Sequence, residues 1–455
     1  MEFVNREEEL RLIKQELSKK ESQLIVVYGR RRVGKSALLQ KLKPANCIYY
    51  LADINTSDIQ RNFFAFQVAK LIPGFNNVLY PDWYTFFEQA NRQLSKKATI
   101  IIDEFPNLVK SAPELPSVIQ KIIDLKQNLN FHLIICGSSQ QMMYSTFLEK
   151  SSPLFGRANR IIKLQPLKCR WLKQILNLTS IQAIEEYSVW GGIPRYWEVR
   201  TEYNSLFEAI REAILNPYGI LYEEPLRLFM DDLSGAVQPI SIASLIGLGC
   251  NKLSEIAGRL NKPATSLSRS LQVLIDAGYV KRELCWGENF KNNKKTLYRL
   301  DDPLIRFFFT FVVPNQSILN SRLIDVVEKE IKKRWQVYVS ETWEELCRQS
   351  VINLNVKNIQ FLPAQRWWQQ SKTDKPIEID IITESVDGQN LLIGEAKWGK
   401  NIKPAMLLRE LDQKITYLNL QKKYQNIYRL IMLPELEFEV KENVIYAGAD
   451  FVCQN

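Results

Sequence analysis

Two groups of residues in this 455-residue chain have the types and spacing needed for phosphate chemistry. The first is a glycine-rich turn that ends in a lysine and a hydroxyl: Gly29, Arg30, Arg31, Arg32, Val33, Gly34, Lys35 and Ser36. It fits the G-x-x-x-x-G-K-[ST] pattern, in which backbone N–H groups surround a phosphate, the lysine contacts the β- and γ-phosphates, and the hydroxyl binds Mg²⁺. The pattern therefore predicts that this segment binds ATP, with Mg²⁺ on Ser36.

An apolar segment about 70 residues further along supplies the carboxylates that such a site needs. Thr99 to Ile102 is followed by Asp103 and Glu104, so we expect Asp103 to hold Mg²⁺ and Glu104 to polarise the attacking water. Ser138 follows another apolar segment and is a candidate sensor of the γ-phosphate, although a simple turn explains it nearly as well.

Two further segments carry an arginine or a tight turn that could act on the nucleotide. Leu154 to Arg157 supplies an arginine that could stabilise the γ-phosphate in cis or across a subunit boundary; a surface arginine is the alternative. Gly191 to Pro194 forms a tight turn with Arg195 beside it, which is structural in most proteins.

The second group lies near the C-terminus and consists of Asp380, Glu395 and Lys397. Because side chains alternate along a strand, Glu395 and Lys397 of the E-x-K segment share one face. Two carboxylates can hold Mg²⁺, and a lysine beside them can orient water against a phosphodiester. Glu344, on a helical segment upstream, could complete the metal site, and Glu345 is its neighbouring alternative. E-x-K is common on the surface of sheets, so the spacing alone does not decide.

The composition excludes several other classes of chemistry. His132 is the only histidine, and it lies in the apolar run from Phe131 to Ile135, so we expect a structural role and no Ser-His-Asp or Cys-His site. The seven cysteines have no C-x-x-C spacing and are expected to be reduced thiols. The longest apolar run, Phe307 to Val313, is too short to span a bilayer, so we expect a cytoplasmic protein without membrane contact.

The order of predicted elements gives an α/β fold in three parts. Strands alternate with helices in the first 140 residues, which predicts a parallel sheet in three layers. Three short helices and a two-stranded ribbon follow, as in a winged helix-turn-helix, and a long helix from Asp325 precedes further strands. We expect a phosphate-loop ATPase domain with a helical lid over 1–235, a winged helix over 236–320 and an α/β domain over 325–455.

Charge patterning makes DNA a candidate partner of the middle part. The chain has a formal net charge of +10, and residues 251–300 hold ten Lys or Arg and four Asp or Glu, a net of +6. We expect Ser266, Ser268, Arg269 and Gln272 on the exposed face of the recognition helix, and a phosphate backbone beside the cations of the ribbon and its loop, Lys281, Arg282, Lys291, Lys294 and Lys295. The alternative is a winged helix that packs as a lid.

The first half of the chain resembles the archaeal-type ATPases of the broader AAA+/STAND group. The resemblance covers roughly residues 1–235 and rests on five motifs: Asn5-Arg6-Glu7, the arginine-rich phosphate loop, Ile101-Ile102-Asp103-Glu104, Leu154-Phe155-Gly156-Arg157 and Gly191-Gly192-Ile193-Pro194. It implies Mg-ATP binding, slow or regulated hydrolysis, and ATP as a conformational switch.

Residues 325–455 resemble a restriction-endonuclease-like domain that is often fused to these ATPases. By that resemblance Glu344, Asp380, Glu395 and Lys397 occupy the positions of the D…E-x-K nuclease site, with Mg²⁺ on Asp380 and Glu395. Trp367 and Trp368, which precede this segment, could stack on a base, but packing against the sheet is the favoured role for at least one of them.

Two functional hypotheses follow. In the first, Mg-ATP binding gates the engagement and cutting of DNA. In the second, the chain is a STAND-like switch in which the nucleotide controls assembly and the C-terminal domain only binds, which leaves a homo-oligomer open. A metabolic kinase is disfavoured because it explains neither the winged helix nor the second carboxylate group.

Overall fold

The computed structural model describes residues 3–42, 44, 46–125, 129–233, 235–288, 296–369, 377–418, 420 and 424–454. The chain divides into two compact units, Met1–Pro166 with Ile193–Arg195, and Leu167–Gly192 with Tyr196–Asn455. The helices after Leu167, which we expected as a lid on the ATPase domain, therefore cluster with the second unit, so this division does not coincide with our boundary at 235. The boundaries at 235 and 325 stay predictions.

The described helices, in chain order, are α1 (Glu7–Leu17), α2 (Lys35–Leu42), α3 (Ser57–Val68), α4 (Trp83–Gln93), α5 (Phe105–Ser111), α6 (Leu115–Leu125), α7 (Gln140–Phe147), α8 (Cys169–Ile175), α9 (Ser180–Trp190), α10 (Pro194–Arg200), α11 (Leu206–Ala209), α12 (Glu224–Asp232), α13 (Val237–Gly247), α14 (Leu253–Leu260), α15 (Ala264–Asp276), α16 (Pro303–Phe307), α17 (Gln316–Asn320), α18 (Ile324–Ser350), α19 (Pro404–Ile415) and α20 (Ala449–Cys453). Two π-helical segments, Ile210–Leu215 and Phe308–Val312, continue α11 and α16. No helix in the described ranges is both long and apolar enough to cross a membrane.

The described strands are β1 (Leu24–Tyr28), β2 (Cys47–Leu51), β3 (Ala98–Asp103), β4 (Phe131–Gly137), β5 (Arg160–Lys163), β6 (Val280–Leu284), β7 (Thr296–Leu300), β8 (Asn355–Val356), β9 (Ile359–Gln360), β10 (Gln365–Gln369), β11 (Ile377–Glu384), β12 (Asn390–Ala396), β13 (Asn426–Met432), β14 (Glu439–Lys441) and β15 (Val444–Ala447).

The first unit contains a five-stranded parallel sheet in the order β2-β3-β4-β1-β5. β3 and β4 are buried at every position, as expected for apolar strands covered by helices on both faces. The predicted α/β class and parallel sheet are confirmed. In a parallel sheet the carboxyl ends of all strands lie at one edge, so the turns after β1, β3 and β4 meet there.

Aromatic packing fixes the position of β2 at the outer end of this sheet. Tyr50 stacks on Phe64 of α3 with ring centroids 4.5 Å apart, and Phe64 contacts Phe86 of α4 at 5.1 Å. All three side chains are buried. Since strand side chains alternate, Tyr49 lies on the opposite face of β2, away from this cluster.

The second unit begins with helices and then contains an antiparallel hairpin, β6–β7. The three predicted helices before the hairpin are present as α13, α14 and α15. On α15, Leu267, Leu271 and Leu274 are buried, whereas Ile275 is only half-buried.

The C-terminal part of this unit is a six-stranded mixed sheet in the order β10-β11-β12-β13-β15-β14. β10, β11 and β12 are antiparallel neighbours, and β13 runs parallel to β12. α18 precedes the sheet, and α19 packs Leu407 and Leu411 against Ile393 and Ile431. This order of helix, three antiparallel strands, helix and parallel strand positions the carboxylates described below.

Candidate functional site

The glycine-rich turn after β1 curls into the first turn of α2. Gly34 has φ +96°, a backbone conformation that residues with a side chain rarely adopt. Arg32 also has a left-handed backbone, with φ 66°. The Lys35 ammonium is buried and donates to Gly29 O at 3.0 Å and Arg30 O at 2.9 Å. Lys35 therefore lies inside the turn, and its ammonium is held by carbonyls at the beginning of that turn.

Arg6 holds this turn from outside. Its guanidinium is buried and donates to Val33 O at 3.2 Å and Gln165 O at 2.7 Å. Arg6 is itself left-handed, with φ 84°, and it also pairs with Glu9 at 3.0 Å. The Asn5-Arg6-Glu7 motif thus has a physical role in this structure, because Arg6 ties the phosphate turn to the segment that follows β5.

Asp103 is the electrostatic centre of the edge. Its side chain has no exposed surface, and the same oxygen, Oδ2, accepts from Ser36 Oγ at 2.6 Å and from Tyr49 Oη at 2.6 Å. The other oxygen accepts from Glu104 N–H at 2.9 Å. Burial, the hydrogen bond to Asp103 and its charge all raise the pKa of Tyr49, in that order, so the phenol stays a donor.

Glu104 lies next to this cluster at the start of α5. Its backbone is left-handed, with φ 53°, and its Oε2 accepts from Ser138 Oγ at 2.8 Å. Ser138 follows β4, the neighbour of β3 in the sheet. The structure thus brings Lys35, Ser36, Asp103, Glu104 and Ser138 together at one edge, as the sequence motifs predict.

Arg157 does not belong to that group. Its guanidinium makes a bidentate contact with Asp124 in the last turn of α6, with Nη2 2.7 Å from Oδ2, and its Nη1 donates to Pro153 O at 2.9 Å. The pairing with Asp124 raises the pKa of Arg157. In this conformation the Arg157 side chain links the loop after α7 to α6. A role of Arg157 at the γ-phosphate stays a prediction.

The edge of the first sheet fits Mg-ATP. A hydroxyl and a carboxylate 2.6 Å apart are oxygen ligands of the kind that Mg²⁺ takes beside nucleotide phosphates. The buried ammonium of Lys35 and the backbone N–H groups at the start of a helix suit the phosphate anions. Ser36 and Asp103 would hold the metal, and Lys35 would contact the phosphates.

The second predicted group also comes together. Lys397 Nζ lies 2.7 Å from Asp380 Oδ2 and 3.0 Å from Glu395 Oε2, so one ammonium bridges carboxylates on β11 and β12. Asp380 Oδ2 also accepts from Ala396 N–H at 3.1 Å, and Lys414 of α19 pairs with Glu395 at 2.7 Å. Both carboxylates are therefore neutralised by lysines in this conformation.

The pKa shifts in this group have distinct causes. Burial opposes ionisation of Asp380, but the charge and hydrogen bond of Lys397 outweigh it, and the pKa of Asp380 is lowered. Burial and the nearby Asp380 charge raise the pKa of Glu395. Burial alone would lower the pKa of Lys397, yet the two carboxylates raise it, so Lys397 stays an ammonium and cannot act as a base in this arrangement.

Glu344 and Glu345 on α18 differ in the direction of their pKa shifts. Glu345 pairs with Lys281 at 2.6 Å and Arg348 at 2.9 Å, and these cations outweigh burial and lower its pKa. For Glu344, burial and the charge of Asp380 raise the pKa to about 7. Glu344 is thus the carboxyl near Asp380, but it does not complete a ligand set, because no three His, Cys, Asp or Glu side chains of the described residues are arranged to hold a metal ion.

Two cations of the hairpin pair with carboxylates. Lys281 pairs with Glu345, and Arg299 lies 3.1 Å from Glu283, whose pKa the surrounding cations lower despite burial. Contact of Lys281 and Arg282 with a phosphate backbone stays a prediction. Lys291, Lys294 and Lys295 lie outside the described residues.

Sequence reasoning missed two residues of these sites, Tyr49 and Lys414, and gave Arg6 only as part of a motif. Tyr49 meets Asp103 only because β2 pairs with β3, with Leu51 opposite Asp103 in the register. Lys414 reaches Glu395 because α19 packs on β12. Apolar periodicity identifies these elements but gives no strand order and no helix rotation, so no local signal could have found these contacts.

Comparison with known proteins identifies two regions of the chain. Residues 3–198 match an ATPase domain predominantly from Archaea, and residues 308–413 match a family of archaeal and bacterial proteins of unknown function. An uncharacterised protein of Methanocaldococcus jannaschii, MJECL04, is 31% identical over 451 residues, 97% of each chain. An uncharacterised ATP-binding protein of the same organism, MJ0423, is 49% identical over 39 residues, 9% of this chain and 66% of that protein.

Among solved structures, the fold is similar to that of a Walker-type ATPase of Pyrococcus abyssi. The TM-score is 0.52 at 18% identity, and the match covers 68% of this chain and 96% of that one. At this identity the similarity concerns the fold alone. Together with the matched ATPase domain, it assigns the first sheet and its edge to an ATP-binding ATPase domain.

The Tyr49 hydroxyl is expected to stabilise the nucleotide-free ATPase domain. Tyr49→Phe removes a short hydrogen bond to a buried carboxylate, and we expect a loss of roughly 1.5–3 kcal/mol in the free energy of unfolding, measured by denaturant titration. Tyr50→Phe is the matched control, because its hydroxyl bonds the neutral Gln60 at 3.2 Å and should cost roughly 0.5–1.5 kcal/mol. Equal losses in the two variants would contradict a charge-assisted bond to Asp103.

The raised pKa of Glu344 predicts a pH-dependent stability of the second unit. A carboxyl whose folded pKa lies above its unfolded value stabilises at low pH, and that contribution is lost as the pH rises from about 4.5 through about 7. Glu344→Gln should remove roughly 1–3 kcal/mol of this fall, seen as melting temperatures that differ less between pH 5 and pH 8.

Glu345→Gln is the control for that experiment. It removes an ion-paired carboxylate with a lowered pKa, so it should destabilise the protein at neutral pH and leave the fall with rising pH in place. A Glu344→Gln variant with the same pH dependence as the wild type would show that the Glu344 carboxyl is not the titrating group.

Proposed function

The chain belongs to the same family as MJECL04 of Methanocaldococcus jannaschii and carries an ATPase domain of the type found predominantly in Archaea, and we propose that it uses Mg-ATP to control its action on DNA. In this proposal the first unit binds and hydrolyses ATP. The helices α13 to α15 with the β6–β7 hairpin act as a winged helix that engages DNA, and the carboxylates of β11 and β12 cut it. The observation that carries the proposal is the convergence of Asp380, Glu395 and Lys397 in a chain with a complete ATP site.

The chemistry of the ATP site follows from the contacts of its residues. Lys35 donates to two carbonyls of its own turn, and phosphate oxygens would replace these carbonyls as its acceptors when ATP binds. Bound Mg²⁺ would neutralise charge between the β- and γ-phosphates. Glu104 is positioned by Ser138 and would orient the attacking water and accept its proton.

ATP binding at this edge must change the partners of Asp103. Its Oδ2 is shared by Ser36 and Tyr49, and Ser36 has to turn its hydroxyl lone pair toward the metal when Mg-ATP binds. Tyr49 lies on β2, and β2 packs against α3. Loss of the hydrogen bond between Tyr49 and Asp103 would therefore alter the contacts of the outer strand of the first sheet. This supports a switch that depends on the nucleotide.

The nuclease proposal rests on the C-terminal fold and on three side chains. α18, the antiparallel strands β10 to β12, α19 and β13 follow the order expected of a restriction-endonuclease-like core, and Asp380 and Glu395 face each other across β11 and β12. These carboxylates would hold Mg²⁺, which would lower the pKa of a bound water. Lys397 would then orient that water against the phosphodiester. Glu344, whose pKa is near neutrality, is available to exchange a proton at the same place.

One observation favours the second hypothesis, a STAND-like switch with a C-terminal binding module. Lys397 and Lys414 already pair with both carboxylates, so a metal ion has to displace them. A site with balanced charges can persist as a structural ion cluster without any catalytic role. The two hypotheses differ in whether Asp380 is needed for chemistry.

Asp380→Asn is expected to abolish metal-dependent DNA cleavage. We expect the wild type to cut duplex, single-stranded or branched DNA with Mg²⁺ or Mn²⁺, and the isosteric variant to cut about 100-fold more slowly or worse. Asp412→Asn, an exposed carboxylate of α19 paired with Arg429 at 3.0 Å, is the matched control and should cut like the wild type. Lys35→Ala should leave the metal requirement intact and remove the response to ATP.

Equal cutting by the wild type and Asp380→Asn would mean that another nuclease causes the signal, and the catalytic proposal would fail. Absence of cutting, together with an ATP-dependent assembly that Lys35→Ala abolishes and Asp380→Asn retains, would favour the switch. Light scattering after size exclusion, with and without a non-hydrolysable ATP analogue, measures that assembly.

A further inference from the structure

A groove of about 1360 Å³ lies within the second unit, between the helices α14 and α15, the β6–β7 hairpin, strand β10 and the chain just after α19. Small-molecule pockets have volumes of about 300–1,000 Å³. The groove is larger and open along its length, which suits a segment of a polymer better than a metabolite.

Aromatic rings from several elements line this groove. Trp286 follows β6, Tyr298 lies on β7, Trp367 lies on β10, and Tyr417 follows α19. Trp286 and Trp367 each pack one side against the apolar core of the C-terminal sheet, so their rings are held in place. Tyr417 is 58% exposed and stands at the rim. Fixed rings of this kind are platforms on which unpaired bases stack.

The groove also has polar residues and a small excess of positive charge. Ser268 and Gln272 of α15 are exposed and line the groove, together with the cations of Lys252 and Arg282. Among the described residues of the lining, Glu255 is the one carboxylate, and Lys252 pairs with it at 3.5 Å. Aromatic rings together with an excess of cations suit a polyanion with aromatic bases.

The walls of the groove are joined rigidly. The backbone N–H of Trp286 donates to Arg366 O at 2.8 Å, so the segment just after β6 is hydrogen-bonded to β10. Beneath this junction, Glu283 lies 3.3 Å from Arg366 and 3.1 Å from Arg299. The groove is thus formed before any ligand binds, and its ordering costs little on binding.

The wall formed by β10 excludes the usual way in which a recognition helix reads DNA. Such a helix enters the major groove of a duplex with its exposed face. Here Ser268 and Gln272, which lie on that face of α15, line the same groove as Trp367 of β10. A single strand fits between two such walls, whereas a duplex would need the face of α15 to stand free.

Strand β10, which carries Trp367, is the neighbour of β11, which carries Asp380. Trp367 pairs with Ile379 on β11, and Asp380 is the next residue.

We infer that this groove binds an unpaired DNA strand, with bases stacked on Trp367 and Tyr417 and phosphates beside Arg282 and Lys252. The inference rests on the proposed action on DNA and names its substrate as a strand without base pairing. It also gives Trp367 a function that packing alone does not require.

Fluorescence anisotropy with the full-length protein tests this inference, with EDTA present to prevent cutting. The probes are a fluorescein-labelled oligo-dT of about 20 nucleotides, a duplex of the same length and a proline-rich peptide. We expect the wild type to prefer the single strand and Tyr417→Ala to weaken that binding roughly tenfold. The salt dependence should be unchanged in this variant, because the phosphate contacts stay, whereas Lys252→Ala should make it shallower.

Tyr144→Ala is the matched control, since Tyr144 is 57% exposed and lies in the first unit, outside the groove. Trp367→Leu is the second groove variant, and circular dichroism establishes that it is folded. If Tyr417→Ala and Trp367→Leu bind the single strand like the wild type, the groove inference is overturned and the action on DNA stands. A wild type that binds the duplex more tightly than the single strand also overturns the groove inference. So does a wild type that prefers the peptide, if Tyr417→Ala weakens binding of the peptide. A wild type that binds neither form of DNA overturns the proposed function as well.

Discussion

The buried charge of Asp103 is the constraint on which the first half of the molecule depends. A carboxylate without exposed surface is costly unless its oxygens accept hydrogen bonds, and here three donors meet it. Ser36 comes from the turn after β1, Tyr49 from β2 and the Glu104 N–H from the turn after β3. The order β2-β3-β4-β1 brings these donors together, so the sheet topology and the charge support each other.

The C-terminal carboxylates are satisfied in a different way. Hydroxyls and an N–H surround Asp103, whereas ammonium groups pair with Asp380 and Glu395. A hydroxyl can keep its place when a cation binds, because its oxygen becomes a ligand. An ammonium must move away, so a metal ion at Asp380 requires rearrangement of Lys397 or Lys414. This contrast explains why the ATP site is ready for its ligand and why the second site is a natural point of control.

Local sequence signals predicted most of the elements and the ends of the strands that carry chemistry. The motifs of the phosphate turn and of Asp103–Glu104 meet at one edge, as the sequence predicts. Contacts that depend on strand order or on helix rotation could not be predicted, as Tyr49 and Lys414 illustrate. Net charge likewise does not reveal that Lys281 is paired with Glu345 on α18.

Asp103 and Ser36 are expected to hold the Mg²⁺ of ATP. Titration calorimetry of ATP binding to the wild type and to Asp103→Asn, each with and without Mg²⁺, tests this most directly. We expect Mg²⁺ to tighten ATP binding to the wild type by about tenfold or more and to have little effect on the variant, which keeps Lys35 and the phosphate turn. An equal gain from Mg²⁺ in both proteins would contradict it, because the metal would then be held by other residues.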